Sequence, residues 1–80
     1  MMWKEIKKAE YIDGYRIMIW FNDGVKKVVD LSNMVRQYPV FQPLIDRNVF
    51  KRFCVTDTLE WQDGKIDVAP EYLYDNGVIV

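Results

Sequence analysis

The chain holds few residues whose types and spacing could do chemistry. It has one cysteine, Cys54, and no histidine. A thiol becomes a nucleophile only when a base or a positive neighbour lowers its pKa. Without histidine, Ser-His-Asp and Cys-His sites are excluded. Phe53 and Val55 flank Cys54, which predicts a buried, inert thiol. Zinc takes its ligands mainly from cysteine and histidine, so this inventory does not make a zinc centre. The acids Asp63, Asp67, Glu71 and Asp75 recur at every fourth position. A carboxylate cluster of that kind would suit Mg²⁺ or Ca²⁺. Their elements argue otherwise, because Asp63 falls in a turn, Asp67 on a strand, and Glu71 and Asp75 flank a helical turn. No Gly-rich phosphate loop of the GxxxxGK or GxGxxG kind occurs. The expectation is a non-enzymatic chain with no cofactor and no metal. A His-free ribonuclease built from Arg, Lys, Tyr and Glu is the remaining enzymatic alternative.

Binding residues are easier to find. Arg16, Trp20 and Lys26 should share one sheet face with Met18, Val28 and Asp30. A basic and aromatic face can hold single-stranded nucleic acid by stacking and phosphate contact. The plainer expectation, which is favoured, is that Trp20 and Met18 pack beneath a helix while Arg16 and Lys26 lay their stems along the edge. Asp30 on the same face also counts against nucleic acid. The apolar run Val78-Ile79-Val80 either docks as a strand or stays exposed as a second candidate contact. Arg47, Lys51 and Arg52 would lie on a solvated helix surface.

The elements that position these residues are announced by four glycines, each preceded by Asp or Asn: Asp13-Gly14, Asp23-Gly24, Asp63-Gly64 and Asn76-Gly77. Glycine accepts positive φ and Asp or Asn suits the position before it, so such pairs mark tight turns. Glu5 to Tyr11 reads as a charged edge strand. Asp13-Gly14 turns it into Tyr15–Phe21, the strongest strand. The next hairpin has two possible registers. A two-residue loop would pair Ile17 with Asp30 and mix charge into the apolar face. A three-residue loop, Asn22-Asp23-Gly24 with Gly24 left-handed, pairs Ile17 with Val29 and Phe21 with Val25. Register follows the buried face, so the bulged loop is expected, with Lys27 the single charge among Tyr15, Ile17, Ile19, Phe21, Val25, Val29 and Leu31.

Residues 31–53 leave the strand pattern. Ser32 or Asp30 can cap a helix carrying Met34, Val35 and Tyr38, and Pro39 ends it. Val40–Ile45, with Pro43, reads as a turn. Asp46 can cap a second helix, Arg47–Phe53. Val55–Trp61 returns to strand, and a two-residue Asp63-Gly64 turn pairs Trp61 with Ile66 and Leu59 with Val68. Pro70 opens a last helical turn to Tyr74, and Asn76-Gly77 stops it. The order is β-β-β-α-α-β-β-α, an α+β chain with an antiparallel sheet of hairpins and short helices packed on it.

Eighty residues, half of them hydrophobic and 15% aromatic, make one small domain. A domain this size leaves much of its surface wet, and a partner or second copy would add stability. Residues 1–55 carry ten Lys or Arg against six Asp or Glu, and residues 56–80 one against six, so the net −1 divides into +4 and −5. That is charge polarity, without the basic cluster of a nucleic-acid footprint. The lone cysteine favours a reducing compartment. MMWKEIKK has no leader-like apolar run and no stretch reaches membrane-spanning length, so a cytoplasmic location is expected.

Three segments taken together resemble the bacterial family called domain of unknown function 2442: YRIMIWFNDGVKKVVDL at 15–31, VFQPLIDRNVFKRFCV at 40–55 and LEWQDGKIDVAPEYLY at 59–74. The departures are Lys27 and the tail 75–80. The resemblance implies a small α+β domain that forms the N-terminal part of some longer bacterial proteins, where a helix-turn-helix domain can follow. It also implies a partner, since relatives are often encoded beside another small protein in what looks like a toxin–antitoxin arrangement. The resulting expectation is a protein-interaction module, antitoxin-like or accessory, whose partner is another protein or a second copy.

Overall fold

The computed structural model describes residues 4–80. Met1 to Trp3, part of the segment expected to hold no leader, lie outside the described residues. Strands β1 (Ile6–Asp13), β2 (Arg16–Phe21) and β3 (Lys26–Asp30) form an antiparallel meander. The register of β2 and β3 is the one that buries the apolar face. Ile17 lies opposite Val29, and the Phe21 amide donates to the Val25 carbonyl at 2.9 Å. Gly24 has φ +86°, as the bulged loop requires. Asp23 fixes that loop by accepting the Val25 amide at 3.0 Å. Gly14, at φ +47°, is the first of two residues between the Asp13–Arg16 pair. Tyr15 therefore belongs to the turn, not to the strand predicted to begin there.

Asp30 accepts the Ser32 amide at the start of α1 (Ser32–Gln37). A 3₁₀ helix, Pro39–Ile45, occupies the segment predicted as a turn. Asp46 then caps α2 (Arg47–Phe50) by accepting the Asn48 amide at 2.9 Å. This helix is shorter than the predicted Arg47–Phe53, yet Phe50 is fully buried and Val49 and Phe53 still pack against the core.

The predicted strand Val55–Trp61 is two strands, β4 (Cys54–Val55) and β5 (Leu59–Trp61). Thr56 and Thr58 fold the chain back between them: the Thr56 amide donates to the Thr58 carbonyl at 2.9 Å, and Val55 lies opposite Leu59. Hydroxyl side chains favour such local turns, which overrode the alternating apolar pattern. Strand β6 (Ile66–Val68) completes a separate three-stranded sheet, with Trp61 opposite Ile66 and Leu59 opposite Val68 as the sequence predicts. The Lys65 amide donates to the Gln62 carbonyl at 3.2 Å across Asp63 and Gly64, at φ +57° and +83° as the two-residue turn requires, but Gln62 before them is also left-handed, at φ +55°, so the strand ends at Trp61.

Helix α3 (Pro70–Asn76) leads into β7 (Val78–Ile79), which pairs with β3 and makes the first sheet four-stranded in the order β1-β2-β3-β7. The tail thus docks by its backbone while its side chains stay exposed. Gly77 ends α3 in extended backbone, φ −87° and ψ 158°, not in the left-handed cap that Asn-Gly suggests. Its lack of a side chain serves close approach: a Cβ there would sit 2.9 Å from Lys27 Cβ and 3.0 Å from Val29 Cγ2.

The core lies between the inner face of the first sheet, the helices and the second sheet. It joins Ile17, Ile19, Phe21 and Val29 to Met34, Val35, Leu44, Phe50 and Leu73, and to Leu59, Trp61, Ile66 and Val68. Trp61 stacks on Phe50 at 5.8 Å and donates its indole N–H to the Phe50 carbonyl at 2.8 Å, so its polar edge is satisfied where water is excluded. Lys27 is 8% exposed. Its ammonium donates to the Tyr74 carbonyl and lies 3.7 Å from the Tyr74 ring centroid. The one charge on the apolar face is thereby held by the end of α3.

Candidate interaction surface

The buried residues of α1, α2 and α3 all join the core on one side of the first sheet. Among the described residues, the helix cover expected for Met18 and Trp20 is therefore not found. The core fills the inner face and takes up the large apolar side chains of α1, α2 and α3. Alternation places Arg16, Met18 and Trp20 of β2 on the outer face with Lys26, Val28 and Asp30 of β3, all half-buried or exposed. Pairing then sorts this face into three rows. One end row runs Lys8, Trp20, Lys26, with the Val80 amide bonded to the Lys26 carbonyl at 3.1 Å. The middle row is Glu10, Met18, Val28, Val78. The other end row is Asp13, Arg16, Asp30.

The predicted site residues are only partly brought together. Trp20 and Lys26 are neighbours, with the Lys26 ammonium 5.7 Å from the indole centroid. Lys8 lies closer, at 4.7 Å, and was missed by sequence reasoning, which treated it as an edge-strand charge. A β-bulge between Ile6 and Lys8 sets its pairing, and that shift cannot be read from alternation. Arg16 shares the face but lies at its opposite end, where its guanidinium makes a bidentate pair with Asp13 at 2.8 and 2.7 Å. Each holds the other charged, so the Asp13 carboxyl is lowered and the Arg16 guanidinium raised. Val78 and Val80 fall on the outer side and Ile79, opposite Lys27, on the other. The three are 72%, 62% and 70% exposed.

Below the Trp20 row, Lys4 donates to Asp23 at 2.9 Å and lies 3.9 Å from the Tyr74 ring centroid. The hydrogen bond from Lys4, followed by that from the Val25 amide, holds the Asp23 carboxyl down to about 2. The same carboxylate raises the Lys4 ammonium and the Tyr74 hydroxyl. This cluster ties the loop to α3 and offers no open group.

Other surfaces offer less. Cys54 is exposed, contrary to the buried thiol predicted from its flanks. It lies on a two-residue edge strand opposite Glu60, whose short span buries neither side chain. A mainly apolar groove of about 280 Å³ lies between the 3₁₀ helix and the start of α3, lined by Tyr38, Val40, Phe41, Val68 and Tyr72 together with Asp67. Arg47 and Lys51 border a polar depression with Asp46. Among the described residues no three acids or thiols converge as metal ligands, and no helix is long and apolar enough to cross a membrane. The outer sheet face presents an apolar centre between two charged ends.

Comparison with curated proteins and with solved structures returns no match. The family model described as Protein of unknown function (DUF2442) matches residues 6–78, nearly the whole chain, and the chain belongs to that family.

Proposed function

We propose that this chain is a non-enzymatic protein-interaction module that binds through the outer face of its four-stranded sheet. One observation carries the reading: Met18, Trp20, Val28 and Val78 lie together on a sheet face over which, among the described residues, no helix packs. Monomeric proteins seldom leave a contiguous apolar patch rimmed by charge without a use for it. The finer proposal is an antitoxin-like or accessory member of a two-protein bacterial pair, acting in the cytoplasm, and it rests on the genomic company that the family resemblance implies. The test is affinity capture from the native host with the wild type and with Met18→Glu, followed by sizing of the recovered complex. A defined complex that Met18→Glu abolishes supports the reading. A wild type that stays monomeric and recovers no specific protein contradicts it.

A second reading draws on Trp20 specifically. Its indole lies between the ammonium groups of Lys8 and Lys26, an arrangement that can pair base stacking with phosphate contact. It predicts salt-sensitive binding of single-stranded oligonucleotides that weakens in Trp20→Ala and Lys26→Ala. Salt-insensitive or absent binding removes it.

A further inference from the structure

We propose that the occupant of the outer sheet face is a second copy of this chain, packed face to face about a two-fold axis that runs across the strands through the Met18 row. The inference rests on the interaction-module reading and names its partner. Its basis is that the charge on the face is self-complementary. Lys8 and Lys26 stand in the row at one end, Asp13 and Asp30 in the row at the other, and Met18, Val28 and Val78 between them. A two-fold axis along the middle row reverses strand direction and leaves strand order unchanged. It therefore sets Lys26 of each copy over Asp30 of the other, on the central strand β3, and Lys8 over Asp13 on β1. On β2 it sets Arg16 over the indole of Trp20, a pairing that favours cations. The apolar row meets itself. Glu10 also meets itself, at the sheet edge, where Lys8 lies 3.8 Å from it and offsets its charge.

The dimensions agree with a weak, specific dimer. Four strands about 4.8 Å apart and five residues rising about 3.4 Å each bound the face at roughly 19 Å by 17 Å, with β7 covering only part of its edge. That is about 650 Å² of plan area over both copies, the size of a weak, reversible contact. Aligned sheets pack about 10 Å apart, a gap that the Met18, Val28 and Trp20 side chains fill from both sides. A different partner would need a matching charge pattern; a second copy supplies it by symmetry.

Sedimentation equilibrium tests the arrangement with a charge swap. The wild type should dimerise reversibly between micromolar and millimolar concentration. Lys26→Asp or Asp30→Lys alone places like charges across the interface and should weaken dimerisation roughly 10-fold or more. The double variant Lys26→Asp/Asp30→Lys restores opposite charges at both symmetry-related contacts and should regain most of the wild-type affinity. Circular dichroism checks folding, and Lys26→Ala and Asp30→Ala replace a reversal that unfolds the sheet, with a smaller loss expected. A dimer indifferent to the single changes, or a double variant no better than the singles, overturns the arrangement. A wild type monomeric to millimolar concentration also overturns it. If that monomer captures a different protein in a Met18-dependent manner, the interaction reading survives; if it captures nothing, both fall.

Discussion

Gly77→Ala separates two accounts of why a glycine follows Asn76. A left-handed helix cap would tolerate Asn better than Ala. The observed backbone is extended, φ −87° and ψ 158°, which any residue adopts without strain. The cost must then come from space. An added Cβ would meet Lys27 Cβ at 2.9 Å, Lys27 Cδ at 3.0 Å and Val29 Cγ2 at 3.0 Å, where carbon atoms prefer about 3.5–4.0 Å. Lys27 Cβ is fixed to the β3 backbone, so rotating a side chain cannot relieve the contact; β7 and the end of α3 must lift. Overpacking of this kind costs about 1–3 kcal/mol. Because β7 is short and can detach, the expected loss is at the lower end, about 1–2 kcal/mol, or roughly 4–16 °C in Tm for a domain of this size. Gly77→Asn, with the larger side chain, should be no better than Ala. Gly24 supplies the opposite control: φ is +86° and no atom lies within 4 Å of a built Cβ. There Asn should outperform Ala, because only backbone conformation is at stake. Urea denaturation of the four variants gives the order, and hydrogen exchange at the Val80 amide reports whether β7 has lifted. A neutral Gly77→Ala, or an Asn at 77 more stable than Ala, would refute the reasoning.

Trp61→Phe removes the donor to the buried Phe50 carbonyl and part of the stack, and should cost about 2–3 kcal/mol in urea denaturation. Asp23 has a folded carboxyl depressed to about 2, below its unfolded value. Its contribution is therefore present at neutral pH and is lost as pH falls from about 4 through 2; Asp23→Asn should abolish that part of the acid transition, and a carboxyl ¹³C titration should find the low midpoint directly. Exposed Cys54 should react with a thiol reagent in the native state nearly as fast as in denaturant, whereas protection would return it to the core.

The hairpins were legible because each choice of loop decided which side chains met. Ile17 opposite Val29, and Trp61 opposite Ile66, follow from the rule that a buried face stays apolar. The break at Thr56–Thr58 was not legible, since Val55, Leu59 and Trp61 alternate as one strand would, and a local turn, in which the Thr58 amide donates to the Thr56 hydroxyl at 3.4 Å, decided otherwise. Cys54 misled for a related reason: apolar neighbours predict burial only when a strand is long enough to have a covered face. The outer surface was half legible. Its residues could be assigned to one face, but not the absence of a helix above them, which depends on where Met34, Phe50 and Leu73 find space. Lys8 escaped because a bulge, invisible to periodicity, brings it beside Trp20.

The central claim is that the Met18 row forms an interface with its own copy. The most direct measurement is an isotope-filtered NOE experiment on an equal mixture of labelled and unlabelled protein. The account predicts intermolecular contacts from the Met18 and Val28 methyl groups to Met18, Val28 and the Trp20 indole of the unlabelled copy. Intermolecular contacts confined to Ile79 and the β7 edge, or none at concentrations where sedimentation finds a dimer, would contradict it.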